Sequence, residues 1–160
     1  MPLMDPARMK AFNALKAAFQ AMSGPAFHFP IASPKQIVDD PTVNLITGAG
    51  LPDLPVYVME VSPDGAKDYY PGEQLKEEFI VNVSGRMDAD SAGPSAKMAT
   101  WEYMAADLEA AITPDVTLGG AVVDARVLVP APFVGVGTNI VILFQPVKMT
   151  IYRAYRDGTL

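Results

Sequence analysis

Near the start of the chain, apolar residues return every three or four positions: Met9, Phe12, Leu15, Phe19 and Met22. That period puts them on one stripe of a helix. Asp5 supplies an N-cap, Pro6 the first helical position, and Ser23-Gly24-Pro25 the stop, so the pattern predicts a helix over 6–22. Met98, Trp101, Ala105, Leu108 and Ile112 form a second stripe, which predicts a helix from about Pro94 to Ile112, ended by Thr113-Pro114. Asp88 and Asp90 stand just before it and are expected to cap it and complement its dipole.

Between the helical stretches the period drops to two. Val56–Val61 reads as a strand, and so does Leu75–Met87, with Phe79, Val81 and Val83 suited to a core and Ile80, Asn82 and Ser84 to a wetter face. Ala121–Val129 is a strand presenting Val123, Ala125, Val127 and Val129 on one side. Ile140–Tyr155 is a long strand in which Pro146 implies a bulge or an edge position. Ile31–Val38 reads as a short strand interrupted by Pro34, within a Pro- and Gly-rich stretch over 25–55. Residues 62–74 read as a polar loop and 130–139 as a loop or hairpin tip.

Each helix has one apolar face to bury. The order of elements therefore predicts a single α+β domain over 1–160, with a mainly antiparallel or mixed sheet of four to five strands and two amphipathic helices on one face. The two closing strands are adjacent in sequence and are expected to pair.

Composition narrows the function classes. Half of the 160 residues are hydrophobic, enough for a core. Lys plus Arg is 12 and Asp plus Glu is 18, a net charge of −6, which argues against a sequence-independent grip on nucleic acid and against docking on anionic lipid. The absence of cysteine excludes disulfides, thiolate nucleophiles, Cys-based zinc sites and iron–sulfur clusters, and one histidine excludes His-rich metal sites. The first residues lack the basic start and apolar run of a signal peptide, and Phe133–Phe144 is too short to span a bilayer. A soluble protein of a reducing compartment, or one indifferent to redox, is expected.

Candidate chemistry is sparse. His28, between Phe27 and Phe29, is either a lone general base or a loop histidine lying on aromatic neighbours; no motif sets a Ser or Asp beside it. Asp88-x-Asp90-x-Ala92-Gly93 has Ala99 where a calcium loop needs Glu. Glu77 and Glu78 are adjacent on a strand, so they face opposite ways and form no dyad; with Asp39-Asp40 they read as solvated surface. Gly48-Ala49-Gly50 and Gly135-Val136-Gly137 lack the third glycine or the lysine of nucleotide loops. No residue is assigned to catalysis, cofactor or metal, and no cofactor is expected. What remains is apolar residues in loops. Tyr69, Tyr70, Phe133, Val134 and Val136 either fold back on the body or form a contact surface, and they are the candidate interface.

The element order resembles the tail terminator (tail-completion, or minor tail) proteins of long-tailed bacteriophages and related gene transfer agents. The resemblance is carried by the helix end Asp107-Leu108-Glu109-Ala110-Ala111-Ile112, then Thr117-Leu118-Gly119-Gly120-Ala121-Val122-Val123-Asp124, a strand at Arg126-Val127, and the closing Val147-Lys148-Met149-Thr150-Ile151-Tyr152-Arg153. The stretch over 41–53 and prolines 130, 132 and 146 depart from the family pattern. The resemblance implies a structural virion protein forming a ring, usually a hexamer, on the head-proximal end of the tail tube. Such a ring ends tail growth and joins tail to neck and head. Implied partners are copies of itself, the tail-tube protein and a head–tail connector or neck protein. DNA would pass through without specific binding, and no membrane is involved. The implied location is the virion tail or neck, and the host cytoplasm during assembly. No catalytic residue comes with the family. The alternatives are another neck or tail-tube subunit, or a small-molecule-binding or enzymatic α+β domain with Tyr57, Trp101 and Tyr103 lining a pocket between sheet and helices.

Overall fold

The computed structural model describes residues 6–40, 42–48, 50–70, 74–134 and 138–154. Six strands form one sheet: β1 (Ile37–Val38), β2 (Val56–Tyr70), β3 (Gln74–Asp88), β4 (Asp124–Val127), β5 (Ala131–Val134) and β6 (Ile140–Ala154). The path across the sheet has five strands in the order β1-β2-β3-β6-β4, and β5 also pairs with β6. β1 runs parallel to β2 and every other pair is antiparallel. Helices α1 (Pro6–Gln20) and α2 (Pro94–Ile112) bury their apolar stripes in one core with the sheet, giving the expected α+β class.

Strand alternation sorts the sheet into two faces. Tyr57, Met59, Phe79, Val81, Val83, Leu143, Val147 and Met149 point to the helices and are buried with Leu15, Phe19, Met104 and Leu108. Residues one position away, such as Val58, Glu60, Ser84, Ile142 and Phe144, point to the opposite face. Gly85 lies opposite Tyr57, and a Cβ on Gly85 would stand 2.5 Å from the tyrosine ring. The missing side chain is the space that the ring fills.

The stretch over 62–74 is not a loop. Residues 62–70 continue β2 and Gln74 begins β3, so the two strands make one long hairpin. Ser62-Pro63-Asp64-Gly65, a turn signal when read locally, is absorbed as a bulge. Val61 pairs with Val81 and Gly65 with Phe79, so β2 takes four steps where β3 takes two.

The region after α2 also differs from expectation. β4 is shorter than Ala121–Val129, and its register with β6 shifts by one residue before β5: Val127 pairs with Val147, Ala131 with Phe144. Val123 and Val129, read as sharing a strand face with Ala125 and Val127, lie outside β4 and are exposed. The bulge lies beside Pro146, as a proline inside a strand requires. Leu128 donates its N–H to the carbonyl of Pro146 at 2.9 Å, but Pro146 has no N–H to return. The buried Gln145 side chain supplies that donor, 2.7 Å from the Leu128 carbonyl.

α2 spans the predicted residues but is turned from the predicted stripe. Its buried positions are Lys97, Thr100, Met104, Asp107, Leu108 and Ile112, while Met98 is exposed. Its N-cap is Gly93, with no side-chain cap, and Asp88 pairs with Arg86 rather than capping. The expected strand over Ile31–Val38 is a 3-10 turn over Pro34–Gln36 followed by β1. There Ser33 and Gln36 form a capping box, and the Gln36 amide reaches the Pro55 carbonyl at 3.0 Å. Glu77 was expected on the surface but is fully buried, paired with Arg8 of α1, whose guanidinium also lies 5.5 Å from the Phe79 ring centre. An arginine long enough to reach down from α1 makes that burial tolerable.

Candidate functional site

The face of the sheet away from the helices is only partly covered. Leu45 of the loop over 42–54 packs on Val56, Val58 and Ile142, with Val43, Leu51 and Leu54 around them. Arg86 reaches out of β3 to hold this loop: its Nη1 donates to the carbonyls of Leu45 at 2.9 Å and Ile46 at 3.3 Å, and its Nε to Asp88 at 3.3 Å. The loop passes so close that a Cβ on Gly48, whose φ is +69°, would stand 2.5 Å from Nη1.

Between loop and sheet lies an open cleft of about 410 Å³. Its floor is Val58, Ile142 and Phe144, and its polar lining includes Glu60 and Ser84. Among the described residues, neither the Glu60 carboxylate nor the Ser84 hydroxyl has a hydrogen-bond partner in the chain. Phe144 is 46 % exposed and Ile46, on the rim, 58 %. An apolar floor with one unpaired carboxylate suits a group that is aliphatic along its length and cationic at its end.

A second constellation lies on the helix side. Asp107 of α2 is buried and accepts the backbone N–H groups of His28 and Phe29, each at 2.8 Å. Its Oδ1 also lies 3.1 Å from His28 Nδ1. The imidazole stacks on Tyr103, one turn earlier on α2, at 4.3 Å between centroids, and Phe29 meets Tyr103 edge-on. His28 therefore does lie against aromatic neighbours, but beside a carboxylate that no motif had set there. Chemically the group is a clasp: one buried carboxylate satisfies a loop turn that would otherwise bury its donors.

The three residues offered by the alternative reading as the lining of a pocket between sheet and helices are not brought together around the cleft. Tyr57 is fully buried, Tyr103 stands outside on His28, and the cleft opens on the opposite face. The Tyr57 hydroxyl and Trp101 Nε1 are buried with no hydrogen-bond partner among the described residues. Burial, and secondarily the Asp107 charge, pushes the Tyr57 phenol well above its ordinary value.

Four of the candidate interface residues, Tyr69, Tyr70, Phe133 and Val134, fall on strands. In backbone register Tyr69 faces Leu75, Tyr70 faces Gln74, Phe133 faces Ile142 and Val134 faces Val141. Their side chains, and the whole of Val136, lie outside the described residues. Sequence reasoning missed Glu60, Arg86 and Asp107. Asp107 was findable: a helical stripe drawn through Thr100, Met104 and Leu108 runs beside it. Glu60 and Arg86 carried no local signal, because the loop they border is placed by tertiary packing.

Among the described residues no cluster of three His, Asp or Glu is placed to hold a metal, and no helix is long and apolar enough to cross a membrane. No family model matches the chain, and a comparison with curated proteins finds no match.

Proposed function

We propose that this chain is a structural ring subunit of the tail terminator kind, which caps the head-proximal end of a phage tail tube, ends tail growth and joins tail to neck and head. The observation that carries the reading is the connection from α2 to β4, the segment on which the sequence resemblance rests. Leu118, Gly119 and Gly120 have φ of 49°, 71° and 88° in succession. Three left-handed residues in a row explain why glycines stand there. Asp115 braces the turn, accepting from the Thr117 hydroxyl at 2.6 Å, the Gly119 N–H at 2.8 Å and the Thr117 N–H at 3.0 Å. Those bonds, the Thr117 hydroxyl foremost, hold its carboxyl below the usual range.

Two further features support the reading. One sheet face is sealed by helices while the other leaves Phe144 and Tyr152 in solvent, as a subunit that completes itself against neighbours requires. The net charge of −6 suits a conduit through which DNA slides without sticking.

The test is solution mass across a concentration series, with and without tail tubes, and negative-stain images of the same samples. Rings with an open centre, free or on tube ends, are the expected result. A monomer that stays monomeric and leaves tube ends bare overturns the reading. The cleft gives a specific footing to a second reading, a small-molecule-binding domain. A metabolite raising the melting temperature, with no ring formed, would favour it.

A further inference from the structure

Two surface features of the chain are complementary. The first is the cleft on the open sheet face, with its apolar floor ending in Phe144 and its unpaired carboxylate, Glu60. The second is the β4–β5 bulge on the sheet edge beside β6, where Ala131 pairs with Phe144. There Val129 is 87 % exposed, the most exposed large apolar side chain among the described residues. Three residues before it, Arg126 is exposed, held by Asp124 through Nε at 2.8 Å and Nη2 at 2.7 Å. That pair leaves the other guanidinium nitrogen free to donate, and an exposed pair of this kind contributes little that a new partner must overcome. The bulge is braced on both sides of Leu128, whose carbonyl accepts from Gln145 and whose N–H donates to the Pro146 carbonyl, which lowers the entropy lost when Val129 meets a partner.

We infer that the cleft receives the Arg126–Pro130 bulge of a second copy, Val129 seating on the floor beside Phe144 and the guanidinium of Arg126 meeting Glu60. We place the contact head-to-tail, so that repeating it gives a ring or an open chain; the same two surfaces meeting reciprocally would stop at a dimer, and a double variant that stops there overturns the inference. This contact deepens the ring reading proposed above and rests on it for its biological setting.

A chain without cysteine allows a clean test. Ser84→Cys in the cleft and Val129→Cys on the bulge are combined, and the variant is oxidised alone and on tail tubes. A disulfide-linked ladder above the dimer is expected, whereas each single variant cannot go beyond a dimer. In parallel, Glu60→Arg and Arg126→Glu should each weaken association by about tenfold, and the double exchange should restore it. Circular dichroism checks that each variant is folded. Rings without the ladder and without charge rescue overturn the contact and leave the ring reading standing. A ladder of open chains, with no ring on any tube, supports the contact and sinks the ring reading. If tubes shield Ser84→Cys from maleimide and the ladder is missing, the tube protein occupies the cleft and the inference fails.

Discussion

Gln145 donates its side-chain amide to the Leu128 carbonyl at 2.7 Å, where the neighbouring Pro146 has no N–H to give. One side chain thus repairs the ladder that its successor breaks, and the bulge that projects Val129 depends on it.

Gln145→Leu removes that donor and leaves a partly buried carbonyl unsatisfied. The loss should be about 1–3 kcal/mol in urea unfolding. A change within the error of the midpoint would mean that the bulge holds without the brace.

Gly85→Ala puts a methyl 2.5 Å from Tyr57 Cδ1 and 3.0 Å from the Met104 methyl. The ring is locked between strand and helix, so the variant should lose about 1–3 kcal/mol. Combining it with Tyr57→Leu should recover most of that loss, and thermal melts of the three variants give the comparison.

How far the sequence led depends on where the deciding contact lies. Both helices were legible because Phe12, Leu15 and Phe19, or Ala105, Leu108 and Ile112, repeat at helical spacing, a local signal. The strand over 75–87 was legible in the same way: Phe79, Val81 and Val83 are buried and Asn82 is exposed. Residues 62–70 were not, because Pro63-Asp64-Gly65 speaks for a turn and only pairing with β3 makes a bulge of it. The stripe of α2 was drawn through Met98 and Trp101 because Lys97 and Asp107 are polar. Asp107 is buried for the sake of donors on a loop 78 and 79 residues away. The cleft was invisible for a like reason: Arg86 and the loop it holds are 41 residues apart.

That clasp predicts an asymmetry. Asp107→Ala strips two backbone donors and the imidazole of their acceptor and should cost about 1.5–3 kcal/mol. His28→Ala keeps both backbone bonds and loses the half-exposed ring, for about 1 kcal/mol or less. Equal losses by chemical denaturation would show that the imidazole, not the loop backbone, is what Asp107 serves.

Tyr57 predicts a pH effect. Its phenol is raised in the folded chain from the ordinary 10.0. The unfolded chain therefore releases this proton first, and its contribution to stability is intact below pH 10 and declines above it. Tyr57→Phe should flatten that part of the decline, measured as urea midpoints at pH 9 and pH 11. Because the hydroxyl has no partner among the described residues, the variant should also be neutral or slightly stabilised at pH 7.

β6 pairs with β3 along its whole length on one side and with β4 and β5 on the other, yet it follows every other described strand in the chain. A ribosome delivering this chain has released both helices and five strands before the strand that joins them emerges. Until then the two halves of the sheet have no common partner and each leaves a strand edge open. Folding of the core therefore waits for β6, and pairing between the open strand edges of copies that still lack it is the aggregation hazard of this topology.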